Sequence, residues 1–343
     1  MKDDRVQALN YSAHAIEDMR EIGASLRGSA PESARVFQYL INMLQNSVKF
    51  ILPNGCNLID PDEMRQAHLD LVRLPYPCVA FEAPWEKEGG FEQVGGFQQT
   101  PATKRIALCW NADSEYEPLA GLNTFFDVFP GGGVFVVPIY WVPEFKRWSV
   151  ALGGSFVPYE NSVQELTMEE SLPASRIANA AAIEAGLARA KAKQFKAEPF
   201  FLLPEIYEQT LANYGGDRDR ANAQIMLDSR DETLMLIQAC SVINCANVNT
   251  VDVSAPAALN KKRQSKGKQP FFSYKILQLT DDRQESERDS GGSSHASPRM
   301  HLRRGHLRRL PNKVVWVRPA MVKAGSEAGV VSKDYAVHTK GKF

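Results

Sequence analysis

An α+β fold is predicted for this 343-residue chain: an antiparallel β-sheet packed with helices, plus a small basic β-rich element at the C-terminal end. Three observations carry the prediction. Apolar residues recur at helical spacing before residue 52 and again between 173 and 247, which marks amphipathic helices. From residue 76 the pattern changes to short aromatic and branched runs broken by paired glycines, the signature of strands and turns. Charge then changes sign along the chain. Residues 1–260 hold 21 Lys+Arg against 33 Asp+Glu, a balance of −12, and residues 261–343 hold 19 against 7, a balance of +12. The net charge of zero conceals this split.

The first 52 residues read as helices. Ser29-Ala30-Pro31-Glu32 supplies a helix start with an early proline, and Val36, Phe37, Leu40, Ile41, Leu44 and Val48 then mark one apolar face. A third helix is expected from Asp60, which would cap it while Glu63 reaches back, with Met64, Ala67 and Leu71 as its stripe. Strands are expected at 78–81, 105–110, 124–129, 134–141 and 147–152. No helix-length segment separates them, so the crossovers that a parallel sheet needs are missing and antiparallel pairing follows. Pro138 lacks an amide donor, which predicts an edge position or a bulge there. Residues 173–247 return to helix. The alanine-rich stretch from 178 to 192 has high helix propensity, and Leu234, Leu236, Ile237, Ala239, Cys240, Val242 and Ile243 predict a last helix buried almost all round.

Three regions follow: an acidic α+β body (1–256), a basic loop, strand and linker (257–297), and a basic arginine-rich β element (298–343). Residues 260–270, with five cations and a glycine, and residues 281–298, charged and then Gly-Ser rich, carry too little apolar surface to order themselves. Between them Phe271, Phe272, Tyr274, Ile276 and Leu277 read as a strand able to join the body. The C-terminal element, about 45 residues long, is below the size that folds alone and is expected to dock on the body.

Composition narrows the function classes. No apolar run reaches the ~18 residues of a membrane span, and the polar start Met1-Lys2-Asp3-Asp4 has no secretory pattern, so a cytoplasmic protein without a membrane partner is expected. Cys56, Cys78, Cys109, Cys240 and Cys245 are spread without pattern, as free buried thiols are. Cys240 and Cys245 have no second ligand pair at zinc spacing. Neither a metal nor a cofactor is expected.

Residues 298–309 hold five arginines and two histidines around Gly305, and lead into the apolar run Val314-Val315-Trp316-Val317. Guanidinium groups stay charged and present forked donors that match phosphates and carboxylates. Arg299, His301, Arg303, Arg304, His306, Arg308, Arg309 and Arg318 are therefore the candidate nucleic-acid-binding residues. In a strand, His301 and Arg303 share one face and Arg304, His306 and Arg308 share the other under unbroken alternation. One face would meet the acidic body while the other meets phosphates. Trp316 would be either a stacking surface for a base or, between two valines, a core anchor.

Enzymatic patterns are weak. Gly131-Gly132-Gly133 lacks the lysine and the helix start of a phosphate loop, and no serine sits in a Gly-x-Ser-x-Gly elbow. His301 and His306 are candidates for acid–base cleavage of RNA only if a bulge at Gly305 brings them together. A non-catalytic binding protein is the leading expectation, a His-dependent ribonuclease an alternative.

The segment Pro298-Arg299-Met300-His301-Leu302-Arg303-Arg304-Gly305-His306-Leu307, followed by Trp316-Val317-Arg318-Pro319, resembles a group of phage and plasmid proteins that includes a type V-A anti-CRISPR. That group carries a P-H-I-R-R-G-H-W segment before a short strand ending in a W-x-P-like element. Asn260-Lys261-Lys262 with Pro270-Phe271, and a helix over 231–246 ending in Cys245-Ala246, are similar as well, so the resemblance spans roughly residues 230–335. The chain departs from the pattern at Leu307, where the family often has tryptophan, and in its longer basic loop.

The resemblance implies an anti-CRISPR protein that recognises the nascent N-terminal part of the type V-A effector nuclease and brings about loss of its mRNA. Its partners would then be that N-terminal peptide and the ribosome or mRNA. The acidic body would take the peptide in a groove or along a sheet edge such as the Pro138 strand, and the basic end would take RNA. The alternative is a phage or plasmid accessory protein that binds RNA or DNA and has no link to CRISPR.

Overall fold

The computed structural model describes residues 8–59, 64–85, 93–112, 117–119, 121–165, 172–189, 193–279, 301–303, 306–311, 313–317 and 320–322. Helices α1 (Tyr11–Leu26) and α2 (Pro31–Asn46) come first, then β1 (Val48–Ile51), the single turn α3 (Gln66–Leu69) and β2 (Cys78–Pro84). A small hairpin, β3 (Gln93–Val94) and β4 (Phe97–Gln98), precedes β5 (Lys104–Asn111), the single turn α4 (Phe125–Val128), β6 (Gly133–Val142), β7 (Arg147–Val150) and β8 (Gly153–Pro158). The short β9 (Gln164–Glu165), α5 (Pro173–Glu184), β10 (Lys193–Gln194), β11 (Glu198–Phe201), α6 (Pro204–Asn213) and α7 (Arg218–Ile243) follow. The chain continues through β12 (Val248–Val253), α8 (Ala257–Gln264) and β13 (Tyr274–Leu279) to four C-terminal strands, β14 (His301–Arg303), β15 (His306–Leu310), β16 (Lys313–Val317) and β17 (Ala320–Val322).

The architecture is α+β. A nine-stranded mixed sheet has the order β11-β8-β6-β5-β2-β1-β13-β12, and β7 also pairs with β6. The β2-β5-β6-β8 block is antiparallel, as the missing crossovers predict. β1 runs parallel to both β2 and β13. Strand alternation serves two cores. Ile106, Leu108 and Trp110 of β5 face α1 and α2 with Ile16, Met19, Leu40 and Leu44. Ala107 and Cys109 face the other way, onto Met235, Leu236 and Cys240 of α7. Helices on both faces explain why the strands read as nearly unbroken apolar runs and why α7 is apolar almost all round. Gly153 lets this layer close: a Cβ there would lie 2.1 Å from the Phe200 carbonyl oxygen.

Several expectations are corrected. The N-terminal helices stop at Ser47, and Val48 opens β1, because Lys49 and Phe50 are buried between two parallel neighbours. The third helix is a single turn capped at Arg65; Asp60 and Glu63 lie outside the described residues. Residues 125–128 form α4 instead of a strand, and the turn lowers Phe125 onto Phe156, ring centroids 4.8 Å apart. α5 ends at Glu184, short of residue 192, and the strand β11 interrupts the stretch expected to be helical. Pro138 is interior, not on an edge. It faces Ala107 on β5, and its carbonyl accepts from Ala151 N–H at the break between β7 and β8. N–H and C=O of one strand residue point the same way, so the missing donor falls in that break.

Residues 257–264 form the helix α8, where a disordered basic loop was expected. Arg263 is the reason. Its guanidinium bonds Glu17 of α1 at 2.7 Å and stacks on the Phe271 ring at 4.0 Å, and its Nε donates to the Gln269 carbonyl at 2.7 Å. The expected strand after it joins the body as β13, between β1 and β12. Residues 281–298 lie outside the described residues.

Candidate functional site

The arginine-rich end is built as paired strands. β15 pairs antiparallel with β16, placing His306 opposite Val317, Arg308 opposite Val315 and Arg309 opposite Val314. β14 pairs with β17, with His301 opposite Val322 and Arg303 opposite Ala320. Branched residues on β16 and β17 favour extended backbone, which holds the arginine-bearing strands in the same form. Arg299, Arg304, Gly305 and Arg318 lie outside the described residues.

This element docks where α7 ends. The Ala246 N–H donates to the Val314 carbonyl at 3.0 Å. One residue later, the Asn247 amide side chain donates to the Trp316 carbonyl and accepts from the Trp316 N–H, both at 2.7 Å, and so stands in for a neighbouring strand. Trp316 itself is buried, 6% exposed, among Ile59, Val242, Cys245 and Val248, with Leu307 and Val314 packed alongside. It is the core anchor; the reading of its indole as a stacking surface for a base is corrected by that burial. The signal for Asn247 is absent from local sequence, since asparagines after a helix, here Asn244, Asn247 and Asn249, read as a turn.

The cationic side chains of the hairpin that the structure describes stay outside. Arg308, Arg309 and Lys313 are exposed. Arg309 approaches Asp70 at 3.3 Å across the join, with both side chains largely in solvent, an arrangement worth little energy. The contact has the sense expected for a basic element on an acidic body.

The hairpin also neighbours an open sheet edge. β12 is the last strand of the sheet, and residues 249–252 are exposed. The other outer strands are less suited to accept a further chain. β11 carries Pro199, which cannot donate to a further strand, and the Trp148 N–H of β7 is taken by the Asp18 carboxylate at 2.7 Å. Among the described residues no strand pairs with the outer side of β12. It is the edge a further extended chain can join.

Two buried ionisable clusters tie elements of the body together. Glu82, fully buried in β2, accepts from the Tyr11 and Ser12 amides at the start of α1 and from the Tyr274 hydroxyl. Burial raises its pKa while the bonds from Ser12 oppose the shift. Arg105 of β5 pairs with Glu232 at 2.8 Å and Asp231 at 3.3 Å on α7. The cysteines are free thiols, and burial pushes Cys78 and Cys245 up to about 12, which leaves them unreactive. Among the described residues no group of three or more His, Cys, Asp or Glu could hold a metal ion, and no helix is long and apolar enough to cross a membrane.

A family model described as AcrVA2-like, the anti-CRISPR type V subtype A2 family, matches residues 57–324. The match runs from the turn after β1 through the docked hairpin and past β17; it starts far upstream of the 230–335 span legible in the motifs and ends at residue 324, short of 335. No curated protein and no solved structure matches.

Proposed function

The chain belongs to the AcrVA2-like anti-CRISPR type V subtype A2 family, and from that premise we propose that it inhibits type V-A CRISPR immunity by recognising the effector nuclease as it is synthesised and causing loss of its mRNA. Two ligands are needed for such a role, a nascent N-terminal peptide and the RNA or ribosome that carries it. The peptide joins the acidic body along the outer edge of β12, where main-chain groups supply affinity and adjacent side chains supply choice. RNA meets the arginines of residues 299–318. The protein acts by binding, without a cofactor.

The observation that carries this reading is adjacency. Asn247 grips β16 and, one residue later, the chain becomes β12. A peptide on that edge would lie beside an RNA on the exposed Arg308–Arg309 side. Replacing Arg303, Arg304, Arg308 and Arg309 by alanine should abolish RNA or ribosome association while leaving peptide binding intact. Calorimetry with the effector's N-terminal peptide and ribosome co-sedimentation measure the two separately. Loss of both in a folded variant would show that one surface serves both ligands.

A further inference from the structure

A second cationic surface lies away from the arginine-rich end. α8 and the turn after it carry Lys261, Lys262, Lys266 and Lys268, all exposed. The fifth cation of the segment, Arg263, points inward and anchors it to Glu17. The turn is then fixed against the helical layer: the Gln269 side-chain oxygen accepts from Arg20 of α1 at 3.1 Å and from Gln45 of α2 at 2.9 Å. Arg20 in turn opens a groove of about 630 Å³ between α1 and α2 that also holds Arg27 and Arg35 and is lined by no carboxylate. Two acids of these helices are engaged, Glu17 with Arg263 and Glu32 with Arg35, and Glu21 is exposed beside Arg20. Arg20 and Arg27 are exposed as well, so cations from α8, the turn after it and α1 are joined through the Arg20–Gln269 bond, and an anion can use them together.

We propose that Lys261, Lys262, Lys266 and Lys268 with Arg20 and Arg27 form a sequence-independent binding surface for the phosphodiester backbone of RNA. The choice of RNA over an acidic protein rests on the kind of cation present. Four are lysines, mobile point charges without a common pocket, and among the described residues of α8 the one exposed large apolar side chain is Leu259. A polyanion with regularly repeated charge fits that pattern. The surface is built partly from α1, outside the residues matched by the family model, and it stands whether or not the C-terminal arginines contact RNA.

The test is anisotropy of the full chain with a short, mixed-sequence single-stranded RNA across a salt series. Replacing the four lysines by glutamine should weaken binding about tenfold and lower the salt slope by ~3, since each phosphate neutralised on a single strand contributes ~0.7. These side chains make no tertiary contact that holds the fold, so the melting temperature should stay at the wild-type value. A second variant, Arg20→Gln with Arg27→Gln, places the same test on another element and should shift both quantities in the same direction. Unchanged affinity and slope in both variants would overturn the proposal. So would tighter binding of a polyglutamate peptide than of RNA at equal salt, or no RNA binding by the unaltered chain.

Discussion

Asp228 sits on α7 with one carboxylate oxygen accepting from Gln224 at 2.9 Å and from Gln99 at 3.3 Å, close to Arg105 and Glu232. Burial pushes its pKa up to about 7, against the bond from Gln224 and the charge of Arg105. An unfolded chain would titrate this group near its ordinary 3.8. The folded protein therefore holds the proton across the interval between the two values. The stabilisation is complete below about pH 4 and is lost as pH rises through about 7. Asp228→Asn removes the titration, so its melting temperature should gain on the wild type between about pH 5 and about pH 8. Parallel curves in calorimetry would show that the carboxyl is ionised throughout. None of this was legible from residue type, because an aspartate in a helix reads as a solvated face until its neighbours are known.

Elements were legible where they answer to local pattern. The antiparallel block and α2 follow from periodicity and α7 from its apolar run, and α7 is capped by Asp217, which accepts from the Arg220 amide at 3.0 Å. The errors share a cause. β1, α4 and α8 take their form from distant partners: two parallel strands, an aromatic cluster, and the Glu17 carboxylate. β12 escaped notice for the related reason that its polar, exposed residues have no inward face to alternate with. Its edge gives a direct prediction. Val251, 39% exposed, pairs with Ile276; Val251→Lys adds the kind of charge that blunts strand addition and should weaken effector-peptide binding about tenfold. RNA binding should not move. Equal peptide affinity in the variant would place the peptide elsewhere on the body.

At the scale of the molecule, the question is how a basic end stays in register with an acidic body when surface ion pairs such as Arg309–Asp70 are weak. Apolar burial provides the answer. Trp316 packs beside the end of α7, and the Asn247 clamp fixes its backbone. Truncating a buried aromatic costs roughly 3–5 kcal/mol, and here the loss falls on docking. Trp316→Ala should speed hydrogen exchange across β15 and β16 and leave α7 protected. Equal acceleration in α7 would mean that the hairpin supports the whole sheet.

By itself the sequence determined the α+β class, the segregation of charge, the arginine-rich end and its likeness to type V anti-CRISPR proteins. These depend on composition and on neighbours a few residues apart. Only the tertiary structure decided that β12 lies at an edge, where Trp316 is buried, and which cations of α8 remain free. Each of those is settled by groups far apart in the chain, and their energies exist only once the partners have been brought together.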